Sequence, residues 1–214
     1  VCELPQDAHP KEAAINILIY GSAYMTALAE QSLMLAGHTV MGHVPCANPS
    51  FRGKMLSPVV PAEYVHTVPY DIALSVFYDR RVERLDAAYN IHPGLLPRWG
   101  GCDILYHTIR LGARQQGLTL HKMVYQFDRG PIISRITYPV FEGDRPVNLY
   151  KRIYDILPGF VVSCVPLLLS IPEFPPAPTN VRYFRRGQNV DPTLFRTYGD
   201  EIRRWIASRH ELQS

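Results

Sequence analysis

The sequence has no long unbroken hydrophobic run, no paired cysteines and no tract of like charge. Its longest apolar stretch, FVVSCVPLLLSI, is short for a membrane span and contains Pro166, so no membrane partner is expected. Cys2, Cys46, Cys102 and Cys164 lie far apart and form no CxxC pair. A zinc ribbon or redox dithiol therefore has no support, no metal is expected, and a reduced, cytoplasmic setting is the default. The formal net charge of +3 comes without clustered Lys and Arg, unlike the footprint of a nucleic-acid binder, and suits an anionic small substrate. The opening VCELPQDAHPKEAA has no basic-then-apolar signal pattern and reads as a flexible leader over residues 1–13.

What is present is an ordinary globular composition, 47% hydrophobic and 19% charged, in short apolar runs separated by helical patterns. INILIY (15–20), HTVMGHV (38–44), DIALSVF (71–77), AAYNIH (87–92), GLTLHKMV (117–124) and PIISRITYPV (131–140) read as strands. Helices are expected within residues 23–37, within 102–112 and from Arg145 onward, the last kinked or broken at Pro158-Gly159 and Pro166. RRVERL is at most a short helix, and Pro45 to Pro69 is mainly loop. The alternation predicts an α/β fold over 14–172, an open, mostly parallel Rossmann-like sheet with helices on both faces. A Pro-rich segment and a tail helix follow over 173–214.

The chemistry concentrates in AYNIHPGLLPRWGG (88–101). Residues i and i+2 of a strand share a face, so Asn90 and His92 point together. Pro93 keeps His92 out of the helical region, and Gly94 permits a tight path onward. Both side chains then sit at the carboxyl end of a strand, where open α/β sheets bind their ligands. The competing reading is a satisfied core histidine beside an asparagine that bonds backbone.

A second stretch, GLTLHKMVYQFDRGPII (117–133), presents Asp128 just before Gly130-Pro131. A lone loop carboxylate is usually a turn former. If residues 87–92 and 117–124 form a parallel βαβ unit, however, Asp128 can meet His92 at one sheet edge. An Asn, a His and an Asp make a poor metal site, and no GxSxG elbow supplies a nucleophile. Acyl transfer to an external amine fits better. Asn90 and protonated His92 can donate to an oxyanion, while Asp128 raises the imidazole pKa and takes a proton from the attacking ammonium.

NIHPGLLPRWGG followed by GLTLHKMVYQFDRGPII resembles the formyltransferases that use 10-formyltetrahydrofolate, over roughly residues 15 to 170. The resemblance implies the formyltransferase fold, with Asn90, His92 and Asp128 as the catalytic trio and His121 at a scaffold position. It places the pterin of the donor against two loops, Phe77, Tyr78, Arg80, Arg81 and Val82 in one and Val124, Tyr125, Gln126 and Phe127 in the other. The sequence departs from the family in having Gly94 where Ser is common. It also has a short segment between 78 and 90, and no Gly-rich phosphate loop at YGSAYMT (20–26).

The acceptor is expected to be a small-molecule primary amine. PRWGGCD and VRYFRRG are similar to the sugar-nucleotide members of the family, which implies acceptor contacts from Gly94, Trp99, Gly100, Arg185 and Arg186, the two arginines pairing with a diphosphate. Their competing reading is a solvated basic turn. An amino-sugar nucleotide is the first expectation, with glycinamide ribonucleotide or an amino-acid or aminoacyl acceptor as alternatives. No counterpart of the tRNA-binding barrel is expected, so tRNA is disfavoured. A homodimer is compatible with all of this. A formyltetrahydrofolate hydrolase and a non-catalytic folate-binding module are the readings from other classes.

Overall fold

The computed structural model describes residues 14–47, 51–82 and 84–211, without the side chains of 210 and 211. The leader lies outside the described residues. Eight strands and four α-helices follow in chain order: β1 (Asn16–Tyr20), α1 (Tyr24–Leu35), β2 (Thr39–Val44), β3 (Ile72–Val76), β4 (Ala88–His92), β5 (Gly100–Gly101), α2 (Ile104–Arg110), β6 (Gln115–Lys122), β7 (Ile132–Pro139), α3 (Pro146–Ser170), β8 (Tyr183–Phe184) and α4 (Pro192–Glu211). A short 3₁₀ turn, Ala62–Thr67, interrupts the loop before β3. No helix forms at the described residues of RRVERL, where residue 83 is not described.

Six strands form one sheet in the order β2-β1-β3-β4-β6-β7. β1 to β4 run parallel, and both of the next pairings are antiparallel. The sheet is thus mostly parallel, as expected, but β4 and β6 are not the parallel pair expected from sequence. The reason lies in α2. A parallel crossover must carry the chain back along the whole strand, usually on a helix within a dozen or more residues. The seven residues of α2 rise only about 10 Å, so the chain returns as β6 running against β4. β5 and β8 make a separate two-stranded parallel ribbon.

The period of two distributes β1 between two cores. Ile17 and Ile19 join the cluster under α1, α3 and α4, while Leu18 and Tyr20 join Val44, Val60 and Ala88 on the other face. α3 contributes a stripe that includes Leu149, Ile153, Leu157, Phe160, Val161 and Cys164. α3 packs on α1, and the helix is unbroken from Pro146 to Ser170 through both internal prolines, where the sequence predicted a kink or break. By length and composition α3 is apolar enough to cross a membrane, which the shorter run in the sequence did not suggest. Here its apolar stripe lies in the main core. α4 docks on that core through Ile202, Ile206 and Trp205, whose ring meets Tyr24, Tyr150 and Tyr154 edge-on.

Candidate active site

The end of β4 brings Asn90 and His92 to the sheet face that also buries Ala88. His92 is 4% exposed, and its Nε2 lies 2.6 Å from the Trp99 carbonyl oxygen. A carbonyl only accepts, so Nε2 carries the proton and Nδ1 is the edge left for chemistry. Nδ1 stands 3.5 Å from Asp128 Oδ1. The loop after His92 is held from β6. Thr119, opposite His92 in register, donates to the Gly94 carbonyl and accepts from Leu96 N–H, and Gln116 Oε1 accepts from Leu95 N–H. A Cβ on Gly94 would fall 2.4 Å from the Trp99 oxygen, so glycine there is what lets that carbonyl reach His92.

Antiparallel register decides the rest. His121 lies opposite Asn90, and cross-strand partners point to one face. Its Nδ1 donates to the Lys122 carbonyl at 2.9 Å, leaving Nε2 to accept from the Asn90 amide at 3.0 Å. That bond orients the amide with its nitrogen into the site. Asp128 reaches the pair from the loop after β6. It sits at φ 56°, in the left-handed region that Asp tolerates better than most residues. Gly101 N–H donates to its Oδ2 at 2.7 Å, and His121 Nε2 is 3.6 Å from its Oδ1.

Burial raises the Asp128 carboxyl, but the His92 charge, the nearby His121 imidazole and the Gly101 N–H overcome it and hold its pKa at about 2. Burial pushes His92 below its ordinary value and the Asp128 charge offsets only part of that, so the imidazole is lowered overall and not raised as expected from sequence. The site is therefore a fixed anion beside an imidazole whose protonation depends on that anion.

Of the residues the sequence assigned to the pterin, Arg81, Val82, Val124, Tyr125, Gln126 and Phe127 line one pocket with Leu85, Met123, Asn90, His121 and Asp128. The other three lie elsewhere. Phe77 packs edge-on against Tyr150 on the opposite core, Tyr78 packs against Tyr20, and Arg80 is solvent-exposed. Phe77 is at φ 54°, and this turn directs its side chain away from the loop's other members. The pocket encloses about 30 Å³, far below the ~300 Å³ or more of a ligand cleft. Arg81 lies over the Tyr125 and Phe127 rings, 4.2 and 5.5 Å from their centroids. The chemistry of the lining suits a pterin edge: an apolar floor, exposed aromatic rims and polar groups converging at one end.

The expected acceptor residues are less uniform. Trp99 is 6% exposed and stacks on Phe184, so its indole is core, while its carbonyl serves the site. Gly100 is paired with β8. Arg185 and Arg186 are exposed, and burial raises the Cys102 thiol while the Arg186 charge acts to lower it. Sequence reasoning gave His121 no chemical part, because a cross-strand partner is visible only once strand direction is known. The Trp99 carbonyl and Gly101 N–H carry no side-chain signal at all, although the Gly100-Gly101 pair marks a close backbone approach. Among the described residues, no group of three His, Cys, Asp or Glu side chains is placed to hold a metal.

Residues 80–164 match the family model described as formyl transferase, which bears out the resemblance read from the two motifs. The bifunctional polymyxin resistance protein ArnA of Wigglesworthia glossinidia brevipalpis is 29% identical over 129 residues, a match covering 57% of this chain and 20% of that one. The chain thus spans a fifth of that relative. The N-formyltransferase from Helicobacter canadensis, crystallised with folinic acid and dTDP-3-aminofucose, superposes with a TM-score of 0.70 at 19% identity, covering 83% of this chain and 72% of that chain. Phosphoribosylglycinamide formyltransferase from Bacillus halodurans superposes at 0.60 and 21% identity, covering 74% and 97%. The fold is that of these formyltransferases.

Proposed function

We propose that the chain transfers a formyl group from 10-formyltetrahydrofolate to the primary amine of a small molecule. The observation that carries this reading is the convergence of Asn90, His92 and Asp128 on one point beside the pocket of Arg81 and Val124 to Phe127. The Helicobacter and Bacillus proteins share the fold, and the former was crystallised with a folate at hand.

In this mechanism the amine nitrogen bonds to the formyl carbon, the bond from that carbon to the folate nitrogen breaks, and one proton passes from the amine to the folate nitrogen. Asn90 Nδ2, aimed by His121, donates to the oxygen as it becomes anionic, and His92 Nδ1 adds a second bond in its imidazolium form, which burial disfavours and the Asp128 charge favours. A carboxyl held at about 2 is fully ionised at neutral pH but a weak proton acceptor. Its first contribution is therefore electrostatic, favouring imidazolium and the incoming ammonium; the ammonium gives one proton to solvent on becoming the attacking amine, and the one shed after attack passes by way of Asp128 to the folate nitrogen.

For the acceptor, an amino-sugar nucleotide is supported by the exposed Arg185 and Arg186, which follow the strand paired with Gly100-Gly101, and by the acceptor in the Helicobacter structure. Glycinamide ribonucleotide is the second reading, on the likeness to the Bacillus protein. The test is incubation with 10-formyltetrahydrofolate with and without dTDP-, UDP- and GDP-linked amino sugars and glycinamide ribonucleotide. Amine-dependent folate release is the expected result. Release without amine identifies a hydrolase, binding without release a module, and formylation of glycinamide ribonucleotide alone excludes the sugar acceptor.

A further inference from the structure

We propose that Phe184, from the C-terminal segment, is a positioning residue of the active site, acting through the 99–101 loop on His92 and Asp128. The proposal builds on the formyl-transfer reading but concerns a part of the chain beyond residues 80–164 of the family match. Two main-chain groups of this loop hold the titrating pair. The Trp99 carbonyl accepts from His92 Nε2–H, and Gly101 N–H donates to Asp128 Oδ2. Nothing in Gly100-Gly101 can anchor itself by side-chain packing. Placement must come from outside the loop.

It comes from β8. Arg182 N–H donates to the Pro97 carbonyl at 2.9 Å, Gly100 N–H to the Arg182 carbonyl at 3.0 Å, and Cys102 N–H to the Phe184 carbonyl at 2.8 Å. These three bonds bracket Trp99 and Gly101. The approach is so close that a Cβ on Gly101, itself at φ +98°, would lie 2.0 Å from the Phe184 oxygen. The Phe184 ring, 4% exposed, fixes the ribbon sideways. It stacks on Trp99 at 5.7 Å and 19° and on His107 at 4.3 Å and 20°, with the Arg182 guanidinium 4.8 Å from its centroid. His107 is fully buried with neither ring nitrogen hydrogen-bonded, so its contribution there is the flat face it offers to Phe184. Trp99 is thus held by its ring so that its carbonyl can hold His92.

The test compares wild type with Phe184→Met, which fills a similar apolar space without a flat ring, and Phe184→Tyr, which keeps the ring. The Met variant should lose ~10²-fold in kcat, the scale of a small misplacement of catalytic groups, with KM for donor and amine nearly unchanged. The Tyr variant should recover most of that loss. Imidazole ¹⁵N spectra supply a readout independent of turnover: His92 locked as the Nε2–H tautomer in wild type and Tyr, exchanging in Met. The melting shift produced by 5-formyltetrahydrofolate should persist in all three, because Phe184 does not line the Arg81 pocket. A Met variant with wild-type kcat and a locked His92 overturns the proposal. So does a loss of kcat equal in Met and Tyr with the tautomer unchanged. A wild type that shows the locked tautomer but transfers no formyl group refutes the proposed function, and the tautomer series then decides the positioning role alone.

Discussion

The Trp99 carbonyl oxygen stands 2.6 Å from His92 Nε2, and this contact settles which edge of the imidazole faces Asp128. With Nε2 engaged, a second proton can enter only at Nδ1, 3.5 Å from Asp128 Oδ1. The pair is therefore arranged for donation from Nδ1 to an oxyanion under the influence of a fixed negative charge.

Replacing the converging groups should separate their roles. Asp128→Asn keeps shape and removes charge, and turnover should fall by ~10² or more. His92→Ala and Asn90→Ala each remove one oxyanion donor, for an expected loss of ~10²–10³ in kcat. Steady-state kinetics on folded variants, checked by circular dichroism, provide the measurement. Near wild-type turnover in any variant removes that residue from the mechanism.

Stability should fall on the acid side, and Asp128 should account for part of it. Its folded pKa is lowered from 3.8 to about 2, so below 3.8 the unfolded chain binds the proton more readily. The stabilisation is complete above pH 3.8 and is lost as pH falls through about 2. His92, also lowered, acts in the same direction below its ordinary 6.5. Urea midpoints measured from pH 7 downward should decline more steeply below pH 4 in wild type than in Asp128→Asn. Equal slopes would mean that the carboxylate is not held as the hydrogen bonds indicate.

Two glycines should respond in opposite directions to alanine. Gly101→Ala forces a side chain into φ +98° and against the Phe184 backbone, and should cost ~1–3 kcal/mol together with activity. Gly159 lies inside α3, where an added methyl group would meet nothing within 4 Å, so Gly159→Ala should stabilise by ~0.5–1 kcal/mol. Chemical denaturation of both variants checks the signs.

Joint replacement of Arg185 and Arg186 by alanine should raise KM for a phosphate-bearing acceptor, leave kcat largely intact and leave folate binding alone, since interactions equal in ground and transition state act on KM. If kcat falls and KM does not, the pair has a part in the chemistry.

The sequence alone determined the local order. Alternating apolar runs and helical spacing placed all six strands of the main sheet to within a few residues, because period and punctuation are properties of neighbouring residues. The same locality made Asn90 and His92 readable as a pair, since i and i+2 of a strand share a face whatever surrounds them. Tertiary structure decided the direction of β6, and with it the facing of His121 and Asn90, because the seven-residue α2 turns the chain back instead of carrying it across. It decided that Phe77 faces the opposite core, a matter of one positive φ. It also recruited residues 182–184 to the loop that holds His92 and Asp128. That contact runs through backbone hydrogen bonds and stacked rings between segments some eighty residues apart, and such bonds leave no pattern along the chain until the fold has brought their ends together.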